Sequence, residues 1–109
     1  MCIRDSLKTF SALGVYGTSV ITAVTAQNTC AVTAVQEIEP TTIKAQIDAV
    51  FDDIDVNAVK IGMLSSTAII DAVASALVNV SCPIVLDPVM VAKSGDALLA
   101  VEALSLIHI

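Results

Sequence analysis

Residues 58–89 read AVKIGMLSSTAIIDAVASALVNVSCPIVLDPV, and the order of patterns in this stretch decides the fold. The apolar run at 58–64 is short and closes on Ser65 and Ser66, residue types that cap helices. Ile69, Ile70, Val73 and Leu77 then recur at helical spacing and form one buried stripe. A second short apolar run, 83–89, follows and is broken by Pro88. Strand, helix and strand in that order make a βαβ unit, whose two strands lie parallel because the connection is long enough to cross over.

Working outward, the firmest neighbouring element is a helix from Pro40, a residue suited to a first helical turn. Ile43, Ile47, Val50, Phe51 and Ile54 mark its buried face, with Lys44, Asp48 and Asp52 elsewhere. Residues 31–38 (AVTAVQEI) read as an edge or lid strand. Residues 19–26 are uncharged and rich in β-branched side chains, which predicts a buried parallel strand. LKTFSALG at 7–14 has the spacing of a helix tail, stopped at Gly14. Beyond the deciding stretch, a loop at 92–96 leads into ALLAVEA, which has helical character.

Composition agrees with an α/β domain. Of 109 residues, 56% are hydrophobic and 3% aromatic, so the core must be built from Ala, Val, Ile and Leu, as in a sheet covered by helices on both faces. The length suffices for one domain. A net charge of −6 with five basic residues excludes a basic patch for nucleic acid. Mean hydropathy is +0.87, yet polar residues or Gly interrupt each apolar run before about 18 residues, so no membrane span is expected. Arg4, Lys8 and the Ala-Val-Thr-Ala at 23–26 imitate a secretory signal, which keeps a secreted, non-catalytic binding domain as one alternative. Gly14, Gly17, Thr18, Ser19 and Thr22 dilute its apolar core, and the cytoplasm is the expected location.

The two ends carry an unusual relation. MCIRDS at 1–6 can be encoded by ATG TGT ATA AGA GAC AG plus one base, and the reverse complement of that string reads Leu-Ser-Leu-Ile-His-Ile, the residues at 104–109. Such an inverted repeat resembles a transposon end used as a sequencing adapter. Residues 1–6 and 104–109 are therefore expected to be adapter-derived, with 7–103 the natural segment. The net charge stands, because Arg4 and Asp5 cancel. The single histidine, His108, falls in the end stretch, so mechanisms needing a His base or ligand are excluded for 7–103.

In open α/β sheets, ligands bind beyond the carboxyl ends of the strands. Gln27, Gly62-Met63 and Asp87 fall at such positions. Gln27 offers a donor and an acceptor that match a ring amino group beside a ring nitrogen, or else serve loop backbone. Met63 is an adaptable wall for a planar ligand or an ordinary core residue. Asp87 can face a metal-bound phosphate, or simply start a turn before Pro88. Lys93-Ser94-Gly95-Asp96 lacks P-loop spacing and reads first as a helix-capping loop. Cys30 and Cys82 have no His partner in 7–103 and read as structural. GxGxxG, GxSxG and zinc-ligand patterns are absent from the sequence.

Three strings in register, LKTFSALGVYGTSVITAVTAQNT, KIGML and VLDPVMVAKSGDALL, resemble the hydroxymethylpyrimidine/phosphomethylpyrimidine kinases of thiamine biosynthesis over essentially all of 7–103. The resemblance implies a ribokinase-like three-layer αβα fold with a mostly parallel sheet, incomplete here. It also implies ATP with Mg²⁺, and γ-phosphoryl transfer to the hydroxymethyl group of an aminopyrimidine and then to its monophosphate. By the same resemblance Gln27 pairs with the pyrimidine edge, Met63 and Val89 line its pocket, and Asp87 lies near phosphate or metal. Pyridoxal kinases share the fold, and the AQNT string favours the pyrimidine. A homo-oligomeric parent is compatible with the resemblance. The family's opening strand and its Gly-Thr-Gly-Cys loop have no counterpart in this sequence, so no catalytic residue is assigned and the chain is expected to show no ATP-dependent turnover.

Overall fold

The structure, a computed structural model, describes residues 3–87 and 89. Its elements run α1 (Ile3–Ala12), β1 (Ala23–Gln27), β2 (Val32–Glu37), α2 (Pro40–Asp53), β3 (Val59–Ile61), α3 (Thr67–Leu77) and β4 (Ile84–Leu86). The deciding stretch folds as its pattern requires. β3 and β4 pair in parallel, Val59 opposite Ile84, Lys60 opposite Val85 and Ile61 opposite Leu86, with α3 as the crossover. The expected loop at 92–96 and the helix beyond it lie outside the described residues.

The core sits where the two helical stripes meet. Ile43 and Ile47 of α2 pack with Ile69, Ile70, Val73 and Leu77 of α3 and with Leu64, and Val59 and Ile61 of β3 add partly buried surface. Fully burying such an aliphatic side chain contributes about 1.5–3 kcal/mol, so this cluster is the principal stabilising feature of the described residues. Pro40 occupies the first turn of α2, and Ile54 ends that helix in extended backbone. Gly14 follows α1 with φ of +73°, the left-handed stop anticipated for it. At Gly17 the backbone runs close over α1: a Cβ there would stand 2.8 Å from Leu7 Cδ2 and from Phe10 Cδ2, and those side-chain ends would have to shift.

Two expectations change. The β-branched run at 19–26 does not form a buried parallel strand. Ser19–Thr22 are irregular, and the strand begins at Ala23 and pairs antiparallel with β2 as a hairpin. The cause lies at its tip: Asn28 N–H donates to the Ala31 carbonyl (3.1 Å), while Asn28 Oδ1 accepts from Cys30 N–H (2.8 Å) and Ala31 N–H (2.9 Å). Such an Asx turn sends the chain straight back, so β1 finds its partner in β2 before it can enter a larger sheet. The described residues thus hold one antiparallel and one parallel pair. Second, Ser66 stands at the N-cap of α3 but makes no side-chain capping bond. Its hydroxyl turns to Glu37 instead.

Candidate functional site

The carboxyl ends of β3 and β4 lie side by side, and the chain leaving each is held by backbone bonds. Asp87 N–H donates to the Ile61 carbonyl (2.8 Å), which carries the ladder one step past β4. Val89 N–H then donates to the Asp87 carbonyl (2.8 Å), a tight turn that keeps Val89 beside Asp87. Side chains alternate along each strand, so Val59, Ile61, Ile84 and Leu86 share one face, and Lys60, Gly62, Val85 and Asp87 share the other. On that second face, Lys60 Nζ approaches Asp87 Oδ2 to 3.9 Å, and the same ammonium is the nearest atom, at 3.8 Å, to where a Gly62 Cβ would lie. The Lys60 side chain is 28% exposed and that of Asp87 47%, so a cation and a carboxylate stand together at a strand end, both within reach of solvent.

Met63 follows Gly62 and is half-buried. Its carbonyl accepts from Thr22 Oγ1 at 3.1 Å, a contact that ties the start of the hairpin to the end of β3. The same entry point is held from α2: Gln46 Nε2 donates to the Ile21 carbonyl and Gln46 Oε1 accepts from Ile21 N–H, both at 2.9 Å. Ile38 N–H closes the base of the hairpin on the Thr22 carbonyl (3.0 Å).

The structure therefore brings Met63, Asp87 and Val89 to one edge, while Gln27 stands apart from them at the far end of β1. Five extended residues carry Gln27 about 17 Å along the strand from Thr22. Gln27 is exposed, and its carboxamide makes no hydrogen bond among the described residues. Of the two roles open to it, service to loop backbone has been taken by its neighbour Asn28. Cys30, expected to be structural, is exposed at the hairpin tip, where its Sγ lies 3.9 Å from Thr29 Oγ1. A residue in a turn of polar neighbours has no core to join.

A surface depression of about 390 Å³ lies elsewhere, at the amino ends of β3 and β4. Asp52, Asp53 and Asp55 line it with no basic side chain, which suits neither a phosphate nor a nucleotide. Among the described residues, no cluster of three or more His, Cys, Asp or Glu is placed to hold a metal ion. No helix among them is long and apolar enough to cross a membrane.

The residue contacts missed by sequence reading are Gln46, Thr22, Lys60 and Glu37. Gln46 alone carried a signal, because it lies between Ile43 and Ile47 on the inward side of α2, where a polar residue calls for a partner.

Comparison with known proteins places this geometry in context. The family model described as phosphomethylpyrimidine kinase matches residues 3–109. The chain is 58% identical over 103 residues to the hydroxymethylpyrimidine/phosphomethylpyrimidine kinase of Rhizobium meliloti (strain 1021), covering 94% of this chain and 39% of that protein. It is 46% identical over 106 residues to the thiamine biosynthesis bifunctional protein ThiED of Geobacter sulfurreducens, covering 96% of this chain and 22% of that protein. A crystal structure of phosphomethylpyrimidine kinase from Clostridium difficile 630 superposes with a TM-score of 0.84 at 54% identity, over 93% of this chain and 44% of that one. The ribokinase-like α/β fold expected from the resemblance stands on this likeness. The chain spans about two fifths of the length of the kinases of Rhizobium meliloti and Salmonella typhimurium that it matches. The pyridoxal kinase and secreted-domain alternatives draw no support from these proteins.

Proposed function

Because the chain belongs to the phosphomethylpyrimidine kinase family, we propose that it carries the substrate-recognition part of an ATP-dependent kinase acting on 4-amino-5-hydroxymethyl-2-methylpyrimidine and its monophosphate, in thiamine biosynthesis. Gln27 reads the amino and ring-nitrogen edge of the pyrimidine, and Met63 and Val89 supply its apolar wall. The observation that carries this reading is the Gln27 carboxamide, which is exposed and makes no hydrogen bond among the described residues while Asn28 satisfies the turn.

Asp87 is the phosphate-side residue. Mg²⁺ prefers carboxylate oxygen and keeps several waters, so a single half-exposed carboxylate beside a nucleotide's phosphates fits it better than a protein cage would. The ion would supply charge neutralisation to the transferring phosphoryl group. Lys60, 3.9 Å from Asp87, adds a fixed positive charge on the same face. Residues 7–103 make up the kinase-derived segment of this reading, and its setting is the cytoplasm.

Titration of the chain with the aminopyrimidine and, separately, with pyridoxal tests the reading. The pyrimidine is expected to bind more tightly, and Gln27→Ala to weaken it by about tenfold or more, the loss of one or two ligand hydrogen bonds. Equal binding of pyridoxal, or a silent Gln27→Ala, refutes it.

A further inference from the structure

Glu37 is the last residue of β2, and both its carboxylate oxygens are engaged by side chains from another part of the chain. Oε1 accepts from Ser65 Oγ at 2.7 Å and Oε2 from Ser66 Oγ at 3.3 Å. Ser65 is the one buried polar or charged residue among those described, at 8% exposure, so its hydroxyl has little water to turn to. Ser66 sits at the N-cap of α3 with no capping bond, so its hydroxyl is directed to Glu37 where a local partner was at hand. Glu37 itself is exposed, so the contact is fixed from the side of the two serines.

The pairing register says what this contact aims. Ala23 lies opposite Glu37 and Thr25 opposite Val35. Ala23, Thr25 and Gln27 alternate onto one face of β1, and Glu37 and Val35 share it. The irregularity near the tip places the extra residue, Thr33, on β2, where its hydroxyl donates to the Ala26 carbonyl (3.1 Å), and leaves the alternation of β1 undisturbed. The face that Glu37 presses toward Ser65 and Ser66 is therefore the face that carries Gln27. The contacts of Ile21 and Thr22 hold the hairpin at the entry of its first strand, and Ile38, just past Glu37, packs on the core beside the end of its second. Apolar packing of that kind sets no direction by itself, and a charged contact from Glu37 to two fixed hydroxyls does.

We propose that Glu37 is a positioning residue for substrate recognition: through Ser65 and Ser66 it sets the tilt of the β1–β2 hairpin, so that the Gln27 face is presented to the carboxyl ends of β3 and β4. This rests on the role given above to Gln27. Glu37 does not touch the substrate.

The test measures two quantities in the full chain: amide exchange along β1 and β2 relative to α2, and binding of the aminopyrimidine by titration. Glu37→Ala is expected to speed exchange at Val24 and Ala34, whose N–H groups belong to the hydrogen-bonded pairs of the ladder, and to weaken binding, each by about tenfold or more, on the scale of a lost hydrogen bond to a charged group. Glu37→Gln, whose carboxamide oxygen still accepts from Ser65, should recover most of both. Gln36→Ala, on the opposite face of the hairpin, should change neither. If Glu37→Ala does not fold, the Ser65→Ala, Ser66→Ala double variant removes the same contacts from the other side and should give the same two losses. Unchanged exchange in Glu37→Ala overturns the proposal. Faster exchange with unaltered binding, where Gln27→Ala weakens binding, overturns the positioning role and leaves the site reading intact. Normal binding by Gln27→Ala removes the site reading and the positioning role with it.

Discussion

Replacing Gln46 by Leu should cost the chain about 2–4 kcal/mol of stability, more than replacing it by Ala, because of what each leaves around Ile21. Gln46 gives Ile21 both an acceptor for its N–H and a donor for its carbonyl, at 2.9 Å each, where Ile21 lies just outside the strand that begins at Ala23. Two neutral hydrogen bonds contribute about 2 kcal/mol net, and a group left unpaired away from water adds about 1 more. Leu keeps nearly the volume of Gln and so bars water from both groups. Ala opens that space, and Ile21 and Gln46 are only half-buried, so water can bond the freed groups and the cost falls to about 1–2 kcal/mol. Helix propensity works against this order by little, since Ala, Leu and Gln are all good helix formers. The chain has no Trp, so far-UV circular dichroism during urea unfolding is the suitable assay. On heating, each kcal/mol should appear as about 4–8 °C in Tm. A Leu variant within about 0.5 kcal/mol of the parent, or an Ala variant less stable than the Leu variant, would refute the reasoning.

The core makes a contrasting prediction. Ile69→Ala, at 1% exposure, should lose about 2–5 kcal/mol in the same urea unfolding, whereas Val78→Ser, at 74% exposure, should stay within about 0.5 kcal/mol. Gly14→Ala should cost about 1–2 kcal/mol through its φ of +73° alone, because an added Cβ would meet nothing within 4 Å. Gly14→Asn, which tolerates the left-handed region better, should cost less in a parallel thermal melt.

How far the sequence led depends on whether a feature is written locally. The stripe Ile69–Ile70–Val73–Leu77 is legible because a 3.6-residue period marks a buried helix face, and all four are buried; of Ile43, Ile47, Val50, Phe51 and Ile54 the first two are buried and the other three half-buried, because α2 runs out past the edge of α3. The parallel pairing of β3 and β4 was legible from strand, helix and strand in succession, although each strand is three residues long where seven were read. The run at 19–26 was misread for a physical reason. β-branched residues suit a pleated surface of any kind, and they do not distinguish a strand buried in a parallel sheet from one arm of a hairpin. The deciding residue was Asn28, whose short amide closes a turn on its own backbone. The contact of Glu37 with Ser65 spans 28 residues and has no local signature at all.

That difference extends to the site. Met63 and Asp87 are placed by a single local rule, the carboxyl ends of two parallel strands, and Asp87 is locked into the ladder through Ile61. Gln27 is placed by an arm whose position is set from outside it, by Gln46 and Thr22 at the first strand and by Glu37 at the second. The phosphate side of the proposed site is thus as rigid as the sheet, and the ring-reading side depends on side-chain anchors and on the packing of Ile38 at the base of the arm. Under the proposed function, a substitution that loosens the arm should weaken recognition of the pyrimidine without disturbing the Asp87 backbone. Gln46→Ala therefore has a second consequence beyond its stability cost. It should raise the aminopyrimidine Kd while the amide exchange of Ile61 and Asp87 stays at the parent's rate, and coupled loss of both would show that the arm and the sheet edge move as one body.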